Sequence, residues 1–197
     1  MDLCGHATLA SAHYLWESGE LGPEAEARFS TRSGWLSARK AGELIEMDFP
    51  QVPAIEAPAP PELPVALGAE PAWSGRSRLD WLVELKSETL LRALKPDFPA
   101  LAKLGTRGVI VTARSDAAPF DFISRYFAPG VGIPEDPVTG SAHCTLGPYW
   151  APRLGRETLT GWQASTRGGR VRVRLAGDRA FLGGRAITVV RGELVDH

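Results

Sequence analysis

Residues 135–144 read EDPVTGSAHC, a tight loop that leads directly into an apolar helix rich in small residues. Pro137 fixes one backbone dihedral, and Gly140 permits close approach of the backbone to a ligand. A helix that begins near Ser141 presents unpaired N–H groups and the positive end of its dipole at that point. The stretch therefore predicts an anion site at the helix start. Asp136 lies beside it, where its carboxylate can bind a polar group of the ligand or move a proton.

A second helix of the same kind begins at the opening of the sequence. Residues 2–7 read DLCGHA, and placing Gly5 over Gly140 aligns them with DPVTGSA at 136–142, with one extra residue in the second loop. The weak repeat, at an offset of 140 − 5 = 135 residues, favours two related lobes. Two helix N-termini that point into one cleft would hold a carboxylate between their dipoles. The alternative is that both are ordinary helix starts.

The remaining patterns indicate an α+β chain, because each half carries one apolar helix among strands. Ser87 and Asp97 are predicted helix N-caps. Helices are expected at 6–18, 62–67, 88–94, 98–103 and 141–154, and strands at 27–31, 35–39, 44–49, 78–85, 108–112, 120–127, 161–165, 171–175, 179–182 and 186–190. The proline-rich stretch 50–64 is interpreted as a crossing between lobes, which gives a first lobe at 1–60 and a second at 61–197, with a last strand that returns to the first lobe.

Composition narrows the range of partners. A net charge of -1, from 22 basic and 23 acidic side chains, gives no electrostatic basis for binding nucleic acid or an anionic membrane. Cys4 and Cys144 are the two cysteines of a sequence with no secretory signal, which favours a cytoplasmic protein with free thiols. His6 and His143 have no third ligand at a useful spacing, so we expect no metal site.

Two motifs resemble those of a known family. DLCGHATLA at 2–10 and GIPEDPVTGSAHC at 132–144 are similar to the two helix motifs of the PhzF-like phenazine-biosynthesis proteins. YWAPRLG at 149–155 and QASTRGG at 163–169 extend the similarity over essentially the whole chain. The resemblance implies a diaminopimelate-epimerase-like fold, with two pseudo-symmetric lobes that each wrap a curved sheet around a central helix. It also implies a homodimeric isomerase without a cofactor, which moves a proton on trans-2,3-dihydro-3-hydroxyanthranilate or on another small carboxylic acid.

The resemblance also implies roles for single residues. His6 matches a cleft histidine that assists proton transfer, and Asp136 matches an aspartate that contacts polar groups of the substrate. Gly5, Gly140 and Ser141 match positions that hold the substrate. The principal acid/base of the family is a glutamate upstream of the first motif, whereas this sequence starts on that motif. We therefore expect an N-terminally truncated chain with an incomplete first lobe, exposed strand edges and weak or absent isomerase activity.

Two alternatives stay open. Related epimerases and racemases of the implied fold use a pair of cysteines, one before each motif glycine. Here Cys4 precedes Gly5 but Thr139 precedes Gly140, which disfavours a two-thiol racemase and leaves a one-thiol epimerase, racemase or dehydratase that uses Cys4. The second alternative is a binding or interaction protein that keeps the fold without catalysis.

Overall fold

The computed structural model describes residues 5–31 and 34–192, and it is an α+β protein. Helices in the described part are α1 (Gly5–Glu17), α2 (Glu62–Leu67), α3 (Glu88–Ala93), α4 (Phe98–Ala102) and α5 (Gly140–Leu154), with a 3-10 helix at Pro129–Val131. Strands there are β1 (Ala27–Thr31), β2 (Gly34–Ala41), β3 (Leu44–Pro50), β4 (Ile55–Glu56), β5 (Trp73–Arg76), β6 (Asp80–Glu84), β7 (Gly108–Arg114), β8 (Phe122–Phe127), β9 (Thr158–Gln163), β10 (Gly169–Ala176) and β11 (Arg179–Gly184). No helix in this part is long and apolar enough to cross a bilayer.

The strands form one continuous sheet in the order β1-β2-β3-β11-β10-β9-β8-β7-β6-β5-β4. Neighbours are antiparallel except for the β6–β7 and β8–β9 pairs, which are parallel. Strand β11 pairs with β3, with Leu182 opposite Met47. The C-terminal hairpin therefore joins the N-terminal strands to the rest of the sheet. The division of the chain at residue 60 stays a prediction.

Helix α5 is the buried centre of the fold, with its residues from Ser141 to Gly147 all buried. It packs against α1 and against β9, β10 and β11. Pro148 lacks an N–H and cannot bond the Cys144 carbonyl one turn earlier. The N–H of Val52 donates to that carbonyl instead, at 3.0 Å. The proline-rich crossing segment thus satisfies the backbone group that the proline inside α5 leaves unpaired.

Helix α1 covers strands β1, β2 and β3. Its buried side carries Ala12 and Trp16, and the Trp16 indole N–H donates to the Ala25 carbonyl at 2.9 Å. These side chains belong to the same apolar cluster as Leu146 and Trp150 of α5. A second cluster lies around α2, α3, α4 and strands β6 to β8. Because α1 and α5 share one core, the positions of their N-termini are fixed relative to each other.

The structure confirms several local predictions and corrects others. Helix α2 spans the predicted residues, and the Ser87 and Asp97 side chains accept hydrogen bonds from the N–H groups of Leu90 and Ala100 at 3.2 and 3.0 Å. The strand predicted at 186–190 is wrong for the described chain, because no described strand pairs with this segment and its Ile187, Val189 and Val190 side chains are about four-fifths exposed. Strands β4 and β5 were not predicted, since both are short.

Candidate active site

A cavity of about 330 Å³ lies where α1 and α5 begin. Its walls include the five site residues expected from the sequence, which are Gly5, His6, Asp136, Gly140 and Ser141. Apolar side chains of Val131, Ile133 and Val138 line the same space. Residues from both copies of the sequence repeat therefore meet in one cavity, which is large enough for a small organic ligand.

The two helices touch at their first residues. A Cβ added at Gly5 would lie 3.2 Å from the Gly140 Cα, and a Cβ added at Gly140 would lie 3.2 Å from the Gly5 Cα. This close approach of backbones favours glycine at both positions, because a Cβ at either one would be tightly packed against the other helix. It also places the starts of both helices at the wall of the same cavity.

Replacement of Gly140 by alanine should destabilise this contact. Overpacking of this kind costs about 1–3 kcal/mol, and the higher helix propensity of alanine offsets up to about 1 kcal/mol. We expect a net loss of about 1–2 kcal/mol in the free energy of unfolding, measured by urea denaturation. Gly22→Ala is the control, because no atom lies within 4 Å of a Cβ at Gly22, and equal stability of the two variants would contradict the close contact.

Asp136 is held by its backbone and by one carboxylate oxygen. Its N–H donates to the Tyr126 carbonyl at 3.0 Å, and its carbonyl accepts from the Gln163 amide at 2.7 Å. The Thr139 hydroxyl donates to the Asp136 Oδ2 atom, and the Thr139 N–H donates to the fully buried Gln163 side chain at 2.8 Å. Among the described residues, Oδ1 of Asp136 has no hydrogen-bond partner. One oxygen therefore fixes the side chain and the other is available to a ligand.

His6 and Ser141 lie near the starts of the two helices. His6 is exposed and is the second residue of α1, so its ring borders the open side of the cavity. Ser141 is buried, and its hydroxyl oxygen accepts a hydrogen bond from Nη2 of Arg107 at 3.1 Å. An accepted bond from a cation leaves the serine O–H free to donate to a ligand.

Sequence reasoning missed an ion pair in the cavity wall. Asp80 is 1% exposed and accepts from Nε of Arg107 at 2.9 Å, from Nη2 of Arg107 and from the Tyr126 hydroxyl at 2.9 Å. Burial alone would lower the pKa of Arg107, but the hydrogen bonds and charge of Asp80 outweigh it, so the pKa of Arg107 is raised. Burial and the Asp80 charge also raise the pKa of Tyr126. Arg107 is therefore a fixed cation and Tyr126 a neutral donor.

The other predicted chemical groups lie elsewhere or outside the described chain. Cys144 is a buried free thiol, and burial raises its pKa to about 12, so it is not a nucleophile. His143 is also fully buried in the core. Cys4 falls outside the described residues, and the one-thiol alternative therefore stays a prediction. Within residues 5–31 and 34–192, no group of His, Cys, Asp and Glu side chains could hold a metal ion.

Comparison with known proteins gives matches over almost the whole chain. Residues 1–192 match the family described as phenazine biosynthesis-like protein. An uncharacterized isomerase from Halalkalibacterium halodurans is 52% identical over 196 residues, which cover 99% of this chain and 74% of that protein. The crystal structure of a PhzF family protein from Enterococcus faecalis has a TM-score of 0.91 at 40% identity, over 99% of this chain and 74% of that one.

A more distant likeness bears on the fold alone. The structure of a probable proline racemase from Agrobacterium radiobacter has a TM-score of 0.60 at 13% identity, over 97% of this chain and 67% of that one. At this identity the likeness carries no information about residues or reaction. It shows that the arrangement of strands and helices is shared beyond close relatives.

Proposed function

The chain belongs to the phenazine biosynthesis-like family, and we propose that it is an isomerase. The proposed reaction moves a proton on a small carboxylic acid that is bound in the cavity at the starts of α1 and α5. Its α+β fold is of the diaminopimelate-epimerase-like type expected from the sequence. The observation that carries the proposal is the convergence of His6, Asp136 and the two glycine helix starts on one cavity of about 330 Å³.

The ligand class follows from the wall of the cavity. Helix N-termini at Gly5 and Gly140 favour a negative group, while Val131, Ile133 and Val138 supply apolar surface. A volume of about 330 Å³ accommodates a six-membered ring with small substituents. These features favour a small organic acid with a carboxylate at one end and a carbon skeleton against the apolar side.

Proton transfer needs a group that takes the proton, a group that returns it and donors that stabilise the charge that develops. The resemblance gives the principal acid/base role to a glutamate upstream of the first motif. We assign His6 to assist the proton transfer, because an imidazole can both accept and donate a proton and His6 borders the cavity. Asp136 orients and polarises the substrate through its second carboxylate oxygen. Gly5, Gly140 and Ser141 hold the substrate through helix-start N–H groups and a hydroxyl. These steps require no cofactor.

Assembly and location belong to the same proposal. The family resemblance supports a homodimer. Cys144 is a free thiol in the described chain, which fits the reducing conditions of the cytoplasm.

The test is incorporation of solvent deuterium. The 197-residue chain, and the same chain extended upstream through the glutamate that the resemblance implies, would be incubated in D₂O with trans-2,3-dihydro-3-hydroxyanthranilate. With the extended chain at least, we expect deuterium to enter carbon positions of this acid, detected by NMR and mass spectrometry. Binding without incorporation by either chain would contradict the isomerase and favour a non-catalytic binding protein.

The variant that tests the one-thiol alternative is Cys4→Ala. Since we assign the proton transfer to other groups, this variant should retain most of the wild-type rate of deuterium incorporation. Loss of the rate in Cys4→Ala, with an unchanged unfolding midpoint, would instead favour the one-thiol epimerase, racemase or dehydratase.

A further inference from the structure

We propose that Arg107 is the specificity-determining residue that binds the carboxylate of the ligand, and that Asp80 and Tyr126 are its positioning residues. The ligand class rests on the proposed function. No motif of the sequence includes Arg107, and its place in the site follows from the side-chain geometry.

The guanidinium is fixed along one edge and open along another. Its Nε and Nη2 atoms donate to the two carboxylate oxygens of Asp80, and Nη2 also donates to the Ser141 hydroxyl at 3.1 Å. Within residues 5–31 and 34–192, its Nη1 atom has no hydrogen-bond acceptor. The Arg107 side chain is 26% exposed while that of Asp80 is 1% exposed, and Arg107 lines the cavity. The exposed part of the ion pair is therefore the cation.

A guanidinium matches a carboxylate better than it matches other small ligand groups. It is planar and carries its charge at every relevant pH. Because Nε and Nη2 donate to Asp80 and Ser141, Nη1 is the nitrogen that can donate to a carboxylate oxygen of the ligand. Ser141 adds a second donor at the same point, because its oxygen already accepts from Arg107 and its O–H remains to be donated. Arg107 and Ser141 together form a site for a carboxylate oxygen pair beside the start of α5.

The positioning residues explain why Arg107 is held so firmly. Asp80 is at the start of β6 and Arg107 lies just before β7, the strand parallel to it. Tyr126 of β8 donates to the same Asp80 oxygen as Nε of Arg107, and the guanidinium lies 5.7 Å from the Tyr126 ring centroid. A cation placed by an acid and a ring binds a ligand with little further ordering of its side chain.

The competing interpretation is a structural ion pair that only neutralises buried Asp80. That role needs the two Asp80 contacts and does not need contact with Ser141 or exposure to the cavity. The two interpretations differ in ligand binding, since a structural pair leaves the affinity for a carboxylate no higher than that for its neutral analogue.

The experiment compares benzoate with benzamide, which share size and shape but differ in charge. Isothermal titration with the wild-type chain should give benzoate an affinity at least ten-fold higher than that of benzamide. Arg107→Lys keeps the positive charge but lacks the planar guanidinium that holds Asp80 on one edge and presents Nη1 to the cavity, and we expect at least a five-fold loss for benzoate. The double variant Asp80→Asn, Arg107→Gln removes both charges, so the buried pair keeps a net charge of zero. Its affinities for benzoate and benzamide should lie within two-fold of each other.

Controls separate binding from folding and from catalysis. Arg114→Gln removes an exposed arginine at the end of β7, and this variant should bind benzoate with the wild-type affinity. The midpoint of urea unfolding, measured for each variant, checks that the variant is folded. Equal affinity of the wild type for the two probes, no benzoate binding at all, or unchanged benzoate binding in both Arg107 variants would overturn the proposal. Arg107-dependent benzoate binding without deuterium incorporation would reject the isomerase and leave the carboxylate site in place.

Discussion

Replacement of Asp136 by asparagine should lower the rate of deuterium incorporation by about 100-fold or more, since loss of one group that polarises the substrate in the transition state costs about 10²–10³-fold. Asparagine has nearly the same size, and its carbonyl can still accept from the Thr139 hydroxyl. The backbone bonds from Asp136 to Tyr126 and from Gln163 to Asp136 do not involve the carboxylate. The loop should therefore keep its shape while the charge that faces the substrate is removed.

The control for this prediction is Asp116→Asn. Asp116 is exposed, lies in the connection between β7 and β8, and does not line the cavity. It should keep the wild-type rate, and both variants should bind benzoate with the wild-type affinity because the proposed carboxylate site is at Arg107. A rate for Asp136→Asn within three-fold of the wild type would remove Asp136 from the catalytic groups.

Much of the fold follows from local patterns. Glycine starts helices α1 and α5, Ser87 and Asp97 cap α3 and α4 through their side chains, and alternation of apolar residues marks strands such as β3, whose Ile45, Met47 and Phe49 are buried. Segment 186–190 is rich in β-branched residues and is not a strand in the described chain. A strand needs a partner along its edge, and the presence of a partner is not a local property.

The residues of the candidate site also fall into two groups, those that the sequence could place together and those that it could not. Gly5 and Gly140 belong to the weak sequence repeat, and they could be placed together because such a repeat predicts that equivalent positions meet in one cleft. The Asp80–Arg107 pair could not, because these residues are 27 positions apart and meet only when β6 and β7 align in parallel. The one available signal was a carboxylate at the head of the apolar run at 81–83, where a buried charge requires a partner.

Gln163 shows a third case, in which a motif residue has a role that the motif does not reveal. It is fully buried and bonds to both the Asp136 carbonyl and the Thr139 N–H. A buried amide with both ends satisfied specifies one loop conformation. The end of β9 thus fixes the loop before α5, and with it the direction of the Asp136 side chain.

His143 gives the fold a dependence on pH that is separate from the chemistry of the cavity. Its ring is fully buried on α5, beside the Phe122 ring at a centroid distance of 6.0 Å. Nδ1 is 2.8 Å from the Thr139 carbonyl, which only accepts, so Nδ1 carries the proton. Nε2 is buried without a hydrogen-bond partner among the described residues. A proton added at Nε2 would create a buried charge with no acceptor for the new N–H group.

Burial lowers the pKa of His143 from 6.5 to about 4, although the bond to the Thr139 carbonyl acts in the opposite direction. Between these two values the unfolded chain binds a proton at this residue that the folded chain does not bind. The free energy of unfolding therefore has its full value above pH 6.5 and falls as the pH is lowered toward 4. A pKa difference of this size corresponds to about 3 kcal/mol, which urea denaturation at a series of pH values would measure.

Two histidine variants test whether this slope belongs to His143. His143→Gln removes the titrating group and keeps an amide that can donate to the Thr139 carbonyl, so its unfolding free energy should change by less than about 1 kcal/mol between pH 7 and 5. His13→Gln alters a partly exposed ring on α1 that contacts Thr188 and Glu17, and the slope due to His143 should remain. Carboxylates such as Glu88, whose pKa is lowered by its hydrogen bonds despite burial, lose their contribution only at still lower pH. A flat stability profile for the wild type from pH 7 to 5 would mean that the folded protein accommodates a charged His143, which its unpartnered Nε2 argues against.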